Sequence, residues 1–175
     1  MTIRILDDRD LTALVAHLVR HGRESGVDGD VIFRPRSARE PIDEAGLRER
    51  LVAAWARGLD EPHWTRTWGA IDGDAIVGHA DLHGGRLAAE LHRATLGMGI
   101  ERGARGRGLG KQLLAQLVAW ARDRGLAWID LGVFAHNAPA RALYRSIGFV
   151  EVGTTVDRFR VDGTQIDDVA MALRL

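Results

Sequence analysis

The apolar run Leu96-Gly97-Met98-Gly99-Ile100 and the turn Arg105-Gly106-Arg107-Gly108-Leu109-Gly110-Lys111 that follows it decide how this chain folds. The run reads as a strand. The turn opens directly into the helical stripe Leu113, Leu114, Leu117, Val118 and Ala121. A helix start presents unpaired N–H groups, which suit a phosphate. Glycines let the backbone bend there and come close to a ligand. Arg105, Arg107 and Lys111 add positive charge to the same turn. The chemistry suggested is diphosphate binding.

Known glycine-rich patterns narrow the choice of diphosphate. The dinucleotide fingerprint G-x-G-x-x-G is met at Gly106 and Gly108 but fails at Lys111. The ATP-type loop G-x-x-x-x-G-K-[ST] is met at Gly110-Lys111. It fails where Arg105 replaces the first glycine and Gln112 replaces the magnesium-binding hydroxyl. The pattern [RQ]-x-x-G-x-[GA] is met by Arg105, Gly108 and Gly110.

Composition bounds the rest. A chain of 175 residues fits one domain, residues 1–175, with a full core. A hydrophobic share of 46% with 27% charged residues is that of an ordinary globular protein. Zero net charge makes neither nucleic acid nor an acidic membrane an expected partner. Yet Arg102, Arg105, Arg107, Lys111, Arg141 and Arg145 lie close together in sequence, a local anion site on a neutral chain. The absence of cysteine excludes disulfides, thiolate catalysis and zinc–thiolate sites. The start Met1-Thr2-Ile3-Arg4-Ile5-Leu6-Asp7-Asp8 lacks a signal-peptide core, and no apolar run approaches membrane-spanning length, so cytoplasmic residence is expected.

The chain alternates strands and helices. Ile3 to Leu6 reads as a strand, and Asp7, Asp8 or Asp10 can cap a helix over Leu11 to His21. Gly22 to Pro41 is a long loop rich in Gly, Pro, Ser, Asp and Arg, of a kind that is often functional. Ile42 to Arg57 is a second helix. Thr65 to Ile71 and Ala75 to His83 form a hairpin around Asp72-Gly73-Asp74, and His92 to Ile100 is the next strand. Leu109 to Arg124 is a helix ended by Gly125, Trp128 to Phe134 a buried strand, and Pro139 to Ile147 a short helix. Phe149 to Val161 and Asp167 to Leu175 pair around Asp162-Gly163.

A second signature follows the buried strand: Asn137, Ala140, Tyr144, Gly148 and Phe149 satisfy N-x-x-A-x-x-x-Y-x-x-x-G-F in register. Taken one at a time, Asn137 can cap a helix, Tyr144 can pack on the core and Gly148 can end the helix. Together with the glycine loop, in this order and at this separation, the residues resemble the GNAT N-acetyltransferase superfamily over roughly residues 65 to 175. The resemblance implies an α/β (α+β) fold: a mixed, mostly antiparallel sheet flanked by helices, with splayed fourth and fifth strands holding the cofactor.

It also implies a site. The backbone of Met98, Gly99 and Ile100 pairs with the pantetheine arm of acetyl-CoA like an added strand. The backbone of Arg105, Gly106, Arg107, Gly108, Leu109, Gly110 and Lys111 holds the diphosphate. Asn137 hydrogen-bonds the pantetheine chain, and Ala140 stays small beside it. Arg141 and Arg145 are candidates for the nucleotide phosphate, or form a solvated helix face. Tyr144 stands at the family's position for stabilising the departing sulfur. The implied reaction is direct acetyl transfer to a primary amine in a ternary complex.

Many family members carry a base, a glutamate, where this chain has Ala94. The nearest substitutes on the same expected strand are His92 and Glu90, and His79 and Asp81 on the preceding strand are others. His79, Asp81 and His83 alternate on one strand face, but the chemistry needs no metal and none is expected.

The acceptor is expected to meet Phe33 and the mixed charges of the Gly22 to Pro41 loop, together with His79 and Asp81. Amino acids, small amines, antibiotics and protein N-termini all fit. A CoA-binding regulatory module with weak or no catalysis is the alternative. Gly97, Gly99 and Gly132 leave longer acyl chains open as donors, and a homodimer is plausible from the family.

Overall fold

The computed structural model describes residues 1–175. Seven strands form one sheet: β1 (Thr2–Ile5), β2 (Thr65–Asp72), β3 (Ala75–Gly84), β4 (Arg93–Ile100), β5 (Trp128–Phe134), β6 (Val150–Val161) and β7 (Thr164–Arg174). Their order is β1-β2-β3-β4-β5-β7-β6. Neighbours run antiparallel except for the parallel pair β4 and β5. Four helices, α1 (Leu11–Glu24), α2 (Glu44–Trp55), α3 (Leu109–Asp123) and α4 (Ala138–Ile147), connect and cover them.

The two faces of the sheet differ in chemistry. Leu113, Leu114 and Leu117 of α3 pack on Trp68, Ala80, Leu82 and Leu96, and Leu143 and Tyr144 of α4 join the same core. On the opposite face, Leu14 of α1 packs with Leu6 and Ile76, and Leu51 and Trp55 of α2 pack beside them. Toward β4 that second face turns polar: His17, Thr65, Thr67 and His79 are all buried there.

Two boundaries matter for the site. α1 continues past His21 to Glu24, so His17 and His21 lie one turn apart on a single helix. β4 begins at Arg93, so His92 belongs to the turn before the strand and not to the strand itself.

β4 and β5 pair only through Arg93 with Trp128, Ala94 with Ile129 and Thr95 with Asp130. An ion pair between Arg93 and Asp130, at 2.6 Å, closes that end. From Leu96 onward the strands separate, while β5 stays paired with β7 as far as Phe134 and Asp168. The split leaves the edge of β4 without a strand partner.

Candidate active site

A cavity of about 780 Å³ occupies the split. Leu96 to Ile100 form one wall, Gly132 to Phe134 the other, and the start of α3 closes the floor. Asn137 at the start of α4, Ala140 and Tyr144 within α4, and Phe33 of the long loop also line it.

The turn before α3 is built to expose backbone donors. Gly106 (φ 75°) and Gly108 (φ 76°) take the left-handed conformation that favours glycine. Gln112 is the first amide of the helix with a backbone partner, bonding to the Gly108 carbonyl at 3.3 Å; the amides from Gly106 to Lys111 have none. Six consecutive free N–H groups at a helix start form an anion cradle. Gly110 must stay small, because a Cβ there would lie 2.7 Å from Leu143 Cδ2 on α4.

The arginines do different work from the amides. The Arg105 N–H is occupied by the Arg102 carbonyl. Its guanidinium turns away from the cradle to Asp30 (2.6 Å) and Glu24 (3.3 Å) and bonds the Ile100 carbonyl at 3.0 Å. Arg102 bonds the Val27 carbonyl at 2.6 Å, and His136 bonds the Ile32 carbonyl at 2.8 Å from beyond β5. The loop after α1 is therefore tied across the cavity mouth from both sides. Arg107 lies 3.6 Å from Asp72, and Lys111 lines the cavity. Arg145 and Arg141 share the carboxylate of Glu151, which sets them on the outer face of α4 rather than in the cavity.

On α4, Asn137 accepts a hydrogen bond from the Ala140 N–H at 3.3 Å and so caps the helix. Its amide nitrogen makes no hydrogen bond within the chain. Tyr144 is buried and meets Phe149 edge-on at 5.8 Å. Its hydroxyl also has no partner within the chain. Burial, and then the charge of Asp81, push its pKa up to about 12.

The remaining candidates separate by position. His92 is exposed in its turn, and Glu90 folds back to accept from the Arg86 and Leu87 N–H groups at 2.9 and 3.2 Å. Neither reaches the cavity, which corrects their expected place on the face of β4. Ala94 is buried in the α3 core, so the position where many relatives carry a glutamate faces packing. His79 and Asp81 sit one layer behind the cavity wall, opposite Gly99 and Gly97. Those two glycines leave no acyl room: a Cβ on Gly97 would run into Asp81, and one on Gly99 into His21. The space beside Gly132 is likewise filled, by Asp168 Oδ2 at 2.9 Å from a Cβ there.

Sequence reading missed His17 and His21. His21 lines the cavity, stacked on Phe33 at 4.4 Å, and His17 joins the buried polar layer behind it. Two histidines one turn apart, on a helix facing a His-x-Asp-x-His strand, are the signal that could have found them. No group of three or more His, Asp or Glu residues is disposed to hold a metal ion.

A sheet split between a parallel pair, above a glycine turn and an open helix start, defines the N-acetyltransferase fold class. Residues 31–149 match the acetyltransferase (GNAT) family. N-alpha-acetyltransferase RimI of Mycobacterium tuberculosis is 34% identical over 111 residues, covering 63% of this chain and 68% of RimI. Ribosomal-protein-alanine N-acetyltransferase from Brucella melitensis superposes with a TM-score of 0.81 at 26% identity, over 100% of both chains. YncA from Salmonella typhimurium, solved with its cofactor acetyl-CoA, shares the fold at a TM-score of 0.81 and 20% identity, over 100% of this chain and 94% of its own. The chain belongs to the GNAT family of acetyl-CoA-dependent N-acetyltransferases. No helix is long and apolar enough to cross a membrane.

Proposed function

We propose that the chain, acting as one domain, moves an acetyl group from acetyl-CoA to a primary amine by direct attack in a ternary complex. The observation that carries this reading is the meeting, in one cavity, of the free β4 edge, the free amides of Gly106 to Lys111 and the unpartnered Tyr144 hydroxyl. The cradle suits the diphosphate of acetyl-CoA, and the β4 edge offers backbone groups to the pantetheine amides. Asn137 has an amide nitrogen free for the same chain, and Ala140 leaves space beside it.

Tyr144 acts at the departing sulfur. With its phenol near 12 and a thiol at about 8.5, full proton transfer is uphill by about 5 kcal/mol. Tyr144 therefore supports the thiolate by hydrogen bonding and does not surrender its proton outright. The edge of β4 near Met98 supplies backbone N–H donors for charge growing on the carbonyl oxygen.

The acceptor class is an α-amine, of an amino acid or a peptide N-terminus, entering beneath the loop that carries Phe33. The names of RimI and of the alanine N-acetyltransferase support that class. The test is thiol release from acetyl-CoA with a panel of amino acids, N-terminal peptides, small amines and aminoglycosides, with products read by mass. Amine-dependent release, strongly reduced in Tyr144→Phe with acetyl-CoA affinity little changed, is expected. Unchanged turnover in Tyr144→Phe contradicts the assignment of Tyr144. Tight CoA binding with no transfer to any amine supports the regulatory-module reading instead.

A further inference from the structure

The buried layer behind Gly97 and Gly99 dictates its own proton positions. Arg20 donates to Glu101 Oε1 across 2.8 Å, an ion pair in which that oxygen accepts. His17 Nδ1, 2.7 Å from the same oxygen, must therefore donate to it. Burial, with the nearby charges of His21 and Arg20, holds the His17 pKa at about 3, so His17 is neutral and its Nε2 can only accept. His79 Nδ1 lies 2.9 Å from that Nε2 and so carries the donated hydrogen. A neutral His79 is left with a bare Nε2.

That lone pair faces another acceptor. Asp81 Oδ2 lies 3.8 Å from His79 Nε2, and Asp81 Oδ1 lies 2.7 Å from His83 Nε2. Burial works to raise the Asp81 pKa, but the charge and hydrogen bond of His83 bring it below the usual carboxylate value. Two acceptors thus face each other across a gap too wide for a hydrogen bond, with no donor between them. Such a gap has room for one proton; burial lowers the His79 pKa to about 4 against the opposing charge of Asp81, so it stands unprotonated at neutral pH, ready to accept one in passing. The layer lies directly behind the cavity wall, because Gly99 pairs with His79 and Gly97 with Asp81, both glycines line that wall, and His21, which also lines it, packs at Gly99.

We propose that His79 and Asp81 form the proton-accepting dyad of the transfer reaction, with His17 and Glu101 as positioning residues that fix its tautomer. This rests on the acetyl-transfer reading above. The acceptor loses two N–H protons in all: one passes to solvent and frees the electron pair that forms the new C–N bond, and the second passes to His79 Nε2 as the amide forms. The C–S bond breaks, and the sulfur leaves with its electron pair, hydrogen-bonded by Tyr144. Asp81 pairs with the imidazolium until the proton passes to the thiolate or to water. One ammonium and one thioester give one amide, one thiol and one released proton. A side chain at Gly97 or Gly99 would collide with this layer, which accounts for glycine at both positions.

The groups bearing on the dyad are His17, Arg20, His21 and Glu24 from α1, His83 from β3, Tyr144 from α4, and Glu101 with Arg105 beyond β4. β2 contributes only the uncharged Thr65 and Thr67.

Two measurements test the dyad. Nitrogen-15 NMR of the imidazoles of the whole protein at neutral pH should show His17 and His79 neutral, each with its hydrogen on Nδ1. A hydrogen on His79 Nε2 overturns the proposal whether or not the protein turns over. With an amine found to be acetylated, His79→Gln should lower kcat by about 10²-fold or more, with acetyl-CoA affinity by calorimetry unchanged. Asp81→Asn, whose amide can donate to Nε2 and block it, should do the same. Glu101→Gln lies nearer the surface and disturbs packing least. It removes an anion that favours the protonated dyad, so the acidic limb of the kcat/KM profile should move to lower pH. Wild-type kcat and pH profile in these variants refute the dyad. Failure of wild type to acetylate any amine strikes the acetyl-transfer reading, and the NMR result then judges the dyad alone.

Discussion

At the scale of single residues, the buried histidines carry the chemistry and a measurable cost. Burial holds His17 at about 3 and His21 and His79 at about 4; neighbouring positive charge adds to it at His17 and His21, whereas at His79 the charge of Asp81 opposes it. The unfolded chain takes up protons on these residues below about 6.5, where the folded protein does not. Stability present above that value is therefore lost as pH falls toward about 4. His83, raised chiefly by the charge of Asp81, has the opposite sign: its contribution is present below its unfolded value and lost as pH rises through its folded one. The depressed residues outnumber it, so the net effect is acid lability of about 1.4 kcal/mol per pH unit for each uncompensated histidine. Urea unfolding at neutral pH and at about pH 5 checks this, with a lower midpoint expected in acid. An unchanged midpoint would mean that these histidines are already solvated in the folded protein. The carboxylates held low by arginines act only further down the pH scale.

At the scale of elements, the junction of β4 with α3 is the decisive construction. Gly108 stands at φ 76°, and the nearest atom to a Cβ there is Gln112 Nε2 at 3.8 Å. Gly108→Ala therefore meets no clash and reports backbone conformation alone. It should cost about 1–2 kcal/mol in thermal stability and weaken acetyl-CoA binding by turning cradle amides aside. Gly103→Ala, in open space, is the control and should change neither. Equal behaviour of the two variants would separate the cradle from cofactor binding. This junction was readable in the sequence because a period-3.6 stripe and a glycine turn are local signals; α3 ends within a residue of expectation, and β5 matches it. The expected base was not readable. His92 and Glu90 have the spacing of a strand face, but a turn over Ala88–Glu90 delays β4 until Arg93. Ala94 shows the same limit, since only the core packed around it reveals that its side of β4 faces α3.

At the scale of the whole molecule, the two faces of the sheet divide the labour. The α3 face supplies an apolar core and the donor cradle. The α1 face supplies a polar layer and the loop carrying Phe33, tied across the mouth by Arg102, Arg105 and His136. Those ties join residues far apart in sequence, such as Arg105 and Asp30, so the loop composition pointed to function without showing where it lay. The central claim is that acetyl-CoA occupies the split, with its diphosphate on the α3 cradle. Backbone amide NMR shifts on adding acetyl-CoA test it most directly. The account predicts the largest changes at Gly106 to Lys111, Met98 to Ile100 and Asn137, with small ones along β1 and β6. Changes centred elsewhere, or equal changes with ATP and acetyl-CoA, would contradict it.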